Sequence, residues 1–181
     1  MSNPNIESEL KSSVQESAEQ PAPSDEKLAV QVHELIMAGG TVGDALNYTA
    51  QDYEALYALG HGYYQAARYD EAYKVFAYLM IHNHLELRFI MAYAASAQML
   101  EKWDEAIHNY SLAIAMDMVN PQPMLHVCEC LIGLAQYARA QEGLNLVLTR
   151  AQQLNLTDVA HRAQALLELV GDRADTPAVA V

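Results

Sequence analysis

The residues of this chain with the plainest claim to chemistry are His82, Asn83 and His84, which spell HNH, and Cys128 and Cys130, a thiol pair in one apolar stretch. The first pattern suggests metal-assisted phosphodiester hydrolysis, and the second a zinc or redox centre. Neither survives its spacing. HNH chemistry needs a ββα scaffold with distant partner ligands, whereas these three letters fall at the end of a helical stretch. Cysteines two apart on a helix point to nearly opposite sides and cannot share one metal ion. No glycine-rich phosphate loop, no Ser/His/Asp order and no paired buried carboxylates occur. The sequence therefore implies no enzyme, no catalytic residue, no metal and no cofactor.

What remains is the chemistry of adhesion. Tyrosines recur along Tyr57–Tyr73, and Met80, Met91, Met99, Met116, Met118 and Met124 are many for so short a span. A tyrosine offers a large apolar ring with a polar tip, and a thioether adapts its shape; both suit the gripping of another chain, and both equally fill gaps between helices.

These side chains must be carried by helices. From about residue 26 onward apolar residues recur at three and four spacings, Gly and Pro are confined to junctions, and strand alternation is missing. EKLAVQVHELIMAGG reads as a first helix with Leu28, Val32, Leu35 and Ile36 on one stripe, ended by Gly39 and Gly40. Three aromatic-x-x-Ala phrases follow, at Tyr69, Trp103 and Tyr137, with Ala72, Ala106 and Ala140 each 34 residues apart. That period is the tetratricopeptide length, and it frames units over about 53–86, 87–120 and 121–154.

Each unit should be two antiparallel helices. Small residues let them touch (Gly60, Ala94 and Cys128 on the first helices; Ala72, Ala106 and Ala140 on the second), while larger neighbours fill the groove. One pair cannot hide its apolar face, so the expected fold is all-α, three tandem helix pairs in a right-handed superhelical arc. An N-terminal helix precedes them. A last amphipathic helix, NLTDVAHRAQALLELVG, capped by Asn155 or Thr157, should close the far end.

In such an arc the first helices line the inner face. Tyr57, His61 and Tyr64 then point into the groove, followed by Arg88, Met91, Ala95 and Gln98, and by Leu125, Glu129 and Ile132. Paired tyrosines beside an apolar strip would hold the side chains of an extended peptide while their hydroxyls satisfy its backbone.

The ends read differently. Residues 1–25 are rich in Ser, Glu, Gln and Pro and suggest a disordered arm; residues 26–170 form the repeat domain; from Gly171 a flexible tail is expected. No secretory signal pattern and no membrane-length apolar run is visible, so the reducing cytoplasm is the expected address. With 23 acidic and 10 basic residues the chain carries −13, which disfavours nucleic acid and anionic membranes as partners.

The stretches AGGTVGDALNYTAQDYEALYALGHGYYQAARYDEAYKVF from Ala38, LRFIMAYAASAQMLEKWDEAIHNYSLAIAMD from Leu87 and HVCECLIGLAQYARAQEGL from His126 resemble the tetratricopeptide chaperones of type III secretion translocators, often called class II chaperones. The resemblance implies a dimerising N-terminal helix, here the Leu28, Val32, Leu35 and Ile36 stripe, and a homodimer. It implies two hydrophobic, pore-forming secreted translocators as clients, held export-competent in the cytoplasm. An extended client segment of Pro-x-Leu-x-x-Pro type would lie in the groove. Carried over by position, the pocket tyrosines are Tyr57, Tyr64 and Tyr69, with Phe76 and Arg88 beside them; His61 stands where relatives have an aromatic residue. A transcription activator is a further partner in some relatives. Two other readings of the same repeats are an adaptor joining folded proteins without chaperone activity, and a co-regulator of such an activator.

Overall fold

The computed structural model describes residues 25–174. Residues 1–24 of the expected arm and most of the expected tail lie outside the described residues, and Asp25, read as the arm's last residue, opens the first helix. The chain divides into two units, residues 1–40 and 41–181.

In the first unit, α1 spans Asp25–Met37. It stops where the sequence implies. Gly39 adopts φ 87°, a left-handed value that only glycine takes without steric cost, and the Gly40 amide donates back to the Leu35 carbonyl at 2.8 Å.

The second unit begins with a short helix, α2 (Val42–Ala45), and continues as α3 (Ala50–Gln65), α4 (Tyr69–His82), α5 (Leu87–Met99), α6 (Trp103–Met116), α7 (Gln122–Gly133), α8 (Tyr137–Gln153) and α9 (Thr157–Ala174). Among the described residues every regular element is a helix. From α3 onward each helix packs on the next in sequence, which is the arrangement three consecutive helix pairs and a closing helix require. Two capping boxes start the unit: the Thr41 and Thr49 side chains accept from the amides of Asp44 and Asp52, whose carboxylates accept in return. The second box sets the start of α3 at Ala50, three residues before the first repeat boundary read from the sequence.

The 34-residue period reappears in the backbone. Ala67, Glu101 and Ala135 all sit at φ 57–58°, and the next amide, of Arg68, Lys102 and Gln136, donates to the carbonyl of Tyr63, Ala97 and Leu131. The glycine that would suit this turn is missing in all three repeats. Each turn still forms, at roughly 1–2 kcal/mol for a side chain in left-handed geometry. The residue after each donor, Tyr69, Trp103 or Tyr137, is the first of the second helix.

Three buried clusters run along the unit. The small residues do what their spacing implies: Ala72, Ala94, Ala106, Cys128 and Ala140 are fully buried, and a methyl on Gly60 would lie 2.7 Å from the Phe76 ring. Trp103 reaches into the third repeat, where a methyl on Gly133 would lie 2.9 Å from its indole. Each buried Phe, Leu or Val in these clusters contributes about 1.5–3 kcal/mol.

Two expectations at the far end need correction. Asn155 does not cap α9; it occupies the left-handed region at φ 57° and turns the chain between α8 and α9. Gly171 does not stop α9, which continues to Ala174, because a glycine beyond the fully buried Val170 anchor can be carried by a helix already packed in place.

Candidate functional site

A cavity of about 530 Å³ opens between the first two repeats. Helix α3 supplies Tyr57, His61 and Tyr64, three and four residues apart and so on one face. Helix α4 supplies Phe76, and α5 supplies Leu87, Arg88, Met91, Ala92 and Ala95. Asn120 and Gln122, at the entry to α7, close the third side.

The walls are held from behind. Phe76 is 2% exposed and forms the floor, fixed by its contact with Gly60. The Tyr57 ring leans on Phe76 and Phe89 at centroid distances of 5.6 and 5.9 Å and stacks with His61 at 6.3 Å. Tyr64 meets Tyr69 edge-on at 5.3 Å, and its burial pushes the phenol pKa up, so it enters any contact as a neutral donor. At the mouth, Arg88 Nη2 lies 2.8 Å from Glu54 Oε1, and its Nε lies 3.1 Å from Glu86 Oε1. The guanidinium also sits 5.3 Å from the Tyr57 ring centre. An apolar floor, aromatic walls and a few polar groups at the rim suit a side chain of an extended peptide.

The junction is braced on another side of the same helices. Tyr73 of α4 donates to Glu105 Oε1 of α6 at 2.8 Å, the Tyr93 hydroxyl of α5 donates to the same oxygen, and Lys102 Nζ lies 3.7 Å from the Tyr73 ring centre. Burial and these hydrogen bonds push the Tyr93 phenol pKa far up, while the two hydroxyls hold the Glu105 carboxyl below its ordinary value against its own burial.

The predicted groove residues thus divide. Tyr57, His61, Tyr64, Phe76, Arg88, Met91 and Ala95 meet around one cavity. Tyr69 does not line it but buttresses Tyr64. Gln98 and Glu129 are tied up with each other: Gln98 Nε2 donates to Glu129 Oε2 at 3.0 Å, and Tyr110 donates to Gln98 Oε1 at 2.8 Å. His126 and Arg162 complete the Glu129 shell at 3.0 and 2.6 Å. Leu125 is a correction. It is 2% exposed and packs with Leu144, Val147, Ala163 and Val170, because α9 supplies partners that repeat spacing alone cannot anticipate. Ile132, read as its groove neighbour, packs against the same cluster.

Asn120 and Gln122 were missed, although a signal existed. They stand 34 residues after Glu86 and Arg88, and Glu54, Arg88 and Gln122 share one repeat position. Of the stripe expected to mediate self-association, Val32 and Leu35 are partly exposed on α1; the side chains of Leu28 and Ile36 lie outside the described ones. Among the described residues no group of three potential ligands could hold a metal, and no helix is long and apolar enough to cross a membrane. The HNH letters are local structure: His82 Nδ1 lies 2.7 Å from the Tyr78 carbonyl, and its own carbonyl accepts from Tyr53.

The tetratricopeptide-repeat family model matches residues 87–120, the second unit. Low calcium response locus protein H of Yersinia pestis is 31% identical over 137 residues, 75% of this chain and 82% of that protein. A type III secretion complex from Aeromonas hydrophila contains a chain that superposes with a TM-score of 0.74 at 31% identity, over 81% of this chain and 98% of that one. The Yersinia enterocolitica type III secretion chaperone SycD, solved with a peptide of the translocator YopD, superposes with a TM-score of 0.63 at 30% identity, over 70% and 98% of the two chains.

Proposed function

The chain belongs to the tetratricopeptide-repeat chaperones of type III secretion translocators, and within that family we propose that it holds its own apolar translocators by an extended segment seated in the Tyr57–Tyr64–Arg88 cavity. The observation that carries this reading is the cavity itself: a 530 Å³ space with a Phe76 floor and tyrosine walls, rigidly backed and open at the rim. A buried aliphatic side chain of the segment supplies binding energy, and the tyrosine hydroxyls and the Asn120 and Gln122 amides answer its backbone.

The physical logic of the task agrees. A client destined for a membrane exposes surface that aggregates in water, and a carrier with a net charge of −13 raises the solubility of the complex. An extended segment that orders on binding loses chain entropy, which keeps the grip reversible for export. The proposed setting is the bacterial cytoplasm, with two such clients and a non-enzymatic role. Self-association runs through the α1 stripe of Leu28, Val32, Leu35 and Ile36.

The test is co-expression with an apolar, membrane-inserting secreted protein of the same bacterium. Wild type should carry the client into the soluble fraction, and Tyr57→Ala with Tyr64→Ala should leave it in the pellet. Equal client recovery with both would remove the cavity from the function. Capture of folded partners alone, by both proteins, would make the chain an adaptor.

A further inference from the structure

The cavity mouth carries a charge arrangement that selects among segments. Arg88 is the cation on the cavity wall, and it is already engaged twice, by Glu54 at 2.8 Å and by Glu86 at 3.1 Å. Two carboxylates around one guanidinium leave the mouth with a net charge of −1. Glu54 is not incidental to this face: it lies three, seven and ten residues before Tyr57, His61 and Tyr64, on the helix side that forms the wall. Glu86 is fixed as the N-cap of α5, its carboxylate accepting from the Arg88 amide. The side chains of Glu54 and Arg88 are 57% and 49% exposed, so both remain open to a ligand. An anionic segment would meet a guanidinium already shared by two carboxylates and a rim of net negative charge.

Resting on the reading of this cavity as the segment-binding site, we propose that the bound segment carries a lysine or arginine beside its buried apolar side chain, received by Glu54 and Glu86. The apolar group fills the space over Phe76, and the cation settles at the rim as a third partner of the two carboxylates. The basic residue adds selectivity and faster capture more than it adds affinity, because a rim ion pair stays hydrated and screened.

The experiment uses the full-length protein and three labelled synthetic peptides that share a Pro-Ala-Leu-Ala-Ala-Pro core and differ in flanks of Lys, Ser or Glu. Fluorescence anisotropy at low salt should rank Lys above Ser above Glu, with about threefold between neighbours, and about 1 M salt should compress the ranking. Because the whole chain is acidic, the deciding comparison is Glu54→Gln with Glu86→Gln. This variant keeps acceptors for Arg88 but removes the two charges, so the Lys preference should vanish and the Glu-flanked peptide should gain. An unchanged ranking in the variant would assign the preference to overall charge and overturn the proposal. Equal binding of all three peptides to wild type would also overturn it, while leaving the cavity as the site. Failure of every peptide to bind wild type would overturn the cavity reading and this inference with it.

Discussion

Tyr57, Met91 and Leu125 occupy the same position in three successive repeats, yet the first two line an open cavity and the third is sealed in the core. A similar divergence appears two turns later, where Tyr64, Gln98 and Ile132 correspond. Tyr64 is a cavity wall, Gln98 is bound to Glu129 and Tyr110, and Ile132 packs under the third repeat. Repeat register thus fixes which way a side chain points, and the neighbouring helix decides whether it meets solvent. Between repeats one and two the side chains of the neighbouring first helix leave a space open. At the third repeat α9 lies close and brings Ala163 and Val170 against Leu125. An end helix that seals the third repeat leaves the open cavity to the first two.

Leu125→Ala tests that contrast hardest. Emptying a site that is 2% exposed should cost about 3 kcal/mol and lower the melting temperature by roughly 6–12 °C, with segment binding retained at temperatures where the variant is folded. A mild thermal effect with lost binding would place Leu125 in the groove after all. Tyr57→Ala with Tyr64→Ala should give the opposite pattern. Binding should weaken by about 2 kcal/mol, roughly 30-fold by calorimetry, with a smaller thermal penalty than Leu125→Ala.

A third prediction concerns Glu129 at the sealed end. Burial pushes its carboxyl pKa up, but hydrogen bonds from His126 and Gln98, with the charges of His126 and Arg162, outweigh this and hold it at about 2 instead of the ordinary 4.5. A lowered folded-state value means that the ionised form stabilises the fold above about pH 4.5, and this contribution is lost as pH falls through about 2. Melting curves across that window should show a steeper loss for wild type than for Glu129→Gln, and parallel curves would contradict it. The smallest effect is expected at a turn. Glu101→Gly relieves a left-handed side chain at φ 58° and should raise stability by no more than about 1 kcal/mol, a few degrees in a thermal melt.

Much of this was legible in the sequence because it repeats. The 34-residue spacing of Ala72, Ala106 and Ala140 located all three helix pairs, and the small-residue positions foretold where helices touch. Six cavity residues were found because helical spacing puts Tyr57, His61 and Tyr64 on one face and carries that face to Arg88, Met91 and Ala95 in the next repeat, and the seventh, Phe76, came from the family resemblance. Most of what escaped depends on contact between non-repeating parts. Leu125 was misplaced because α9 follows no repeat rule, and its packing surface cannot be inferred from the register of the others. Gln98 and Glu129 look like free polar groove residues until Tyr110, His126 and Arg162 are seen to bind them. Asn120 and Gln122 precede or open a helix, where amphipathic periodicity gives no face to read. The capping role assigned to Asn155 failed because an asparagine is as well suited to a left-handed turn as to a helix start.

Where the client segment lies decides whether the cavity is the binding site. A photo-crosslinking residue placed at Gln122, exposed on the cavity rim, and separately at Leu146, 65% exposed on α8, would report this with the client bound and irradiated. Adducts to the client from position 122 and none from position 146 are the predicted result. Adducts from position 146 with none from position 122 would contradict the cavity as the binding site.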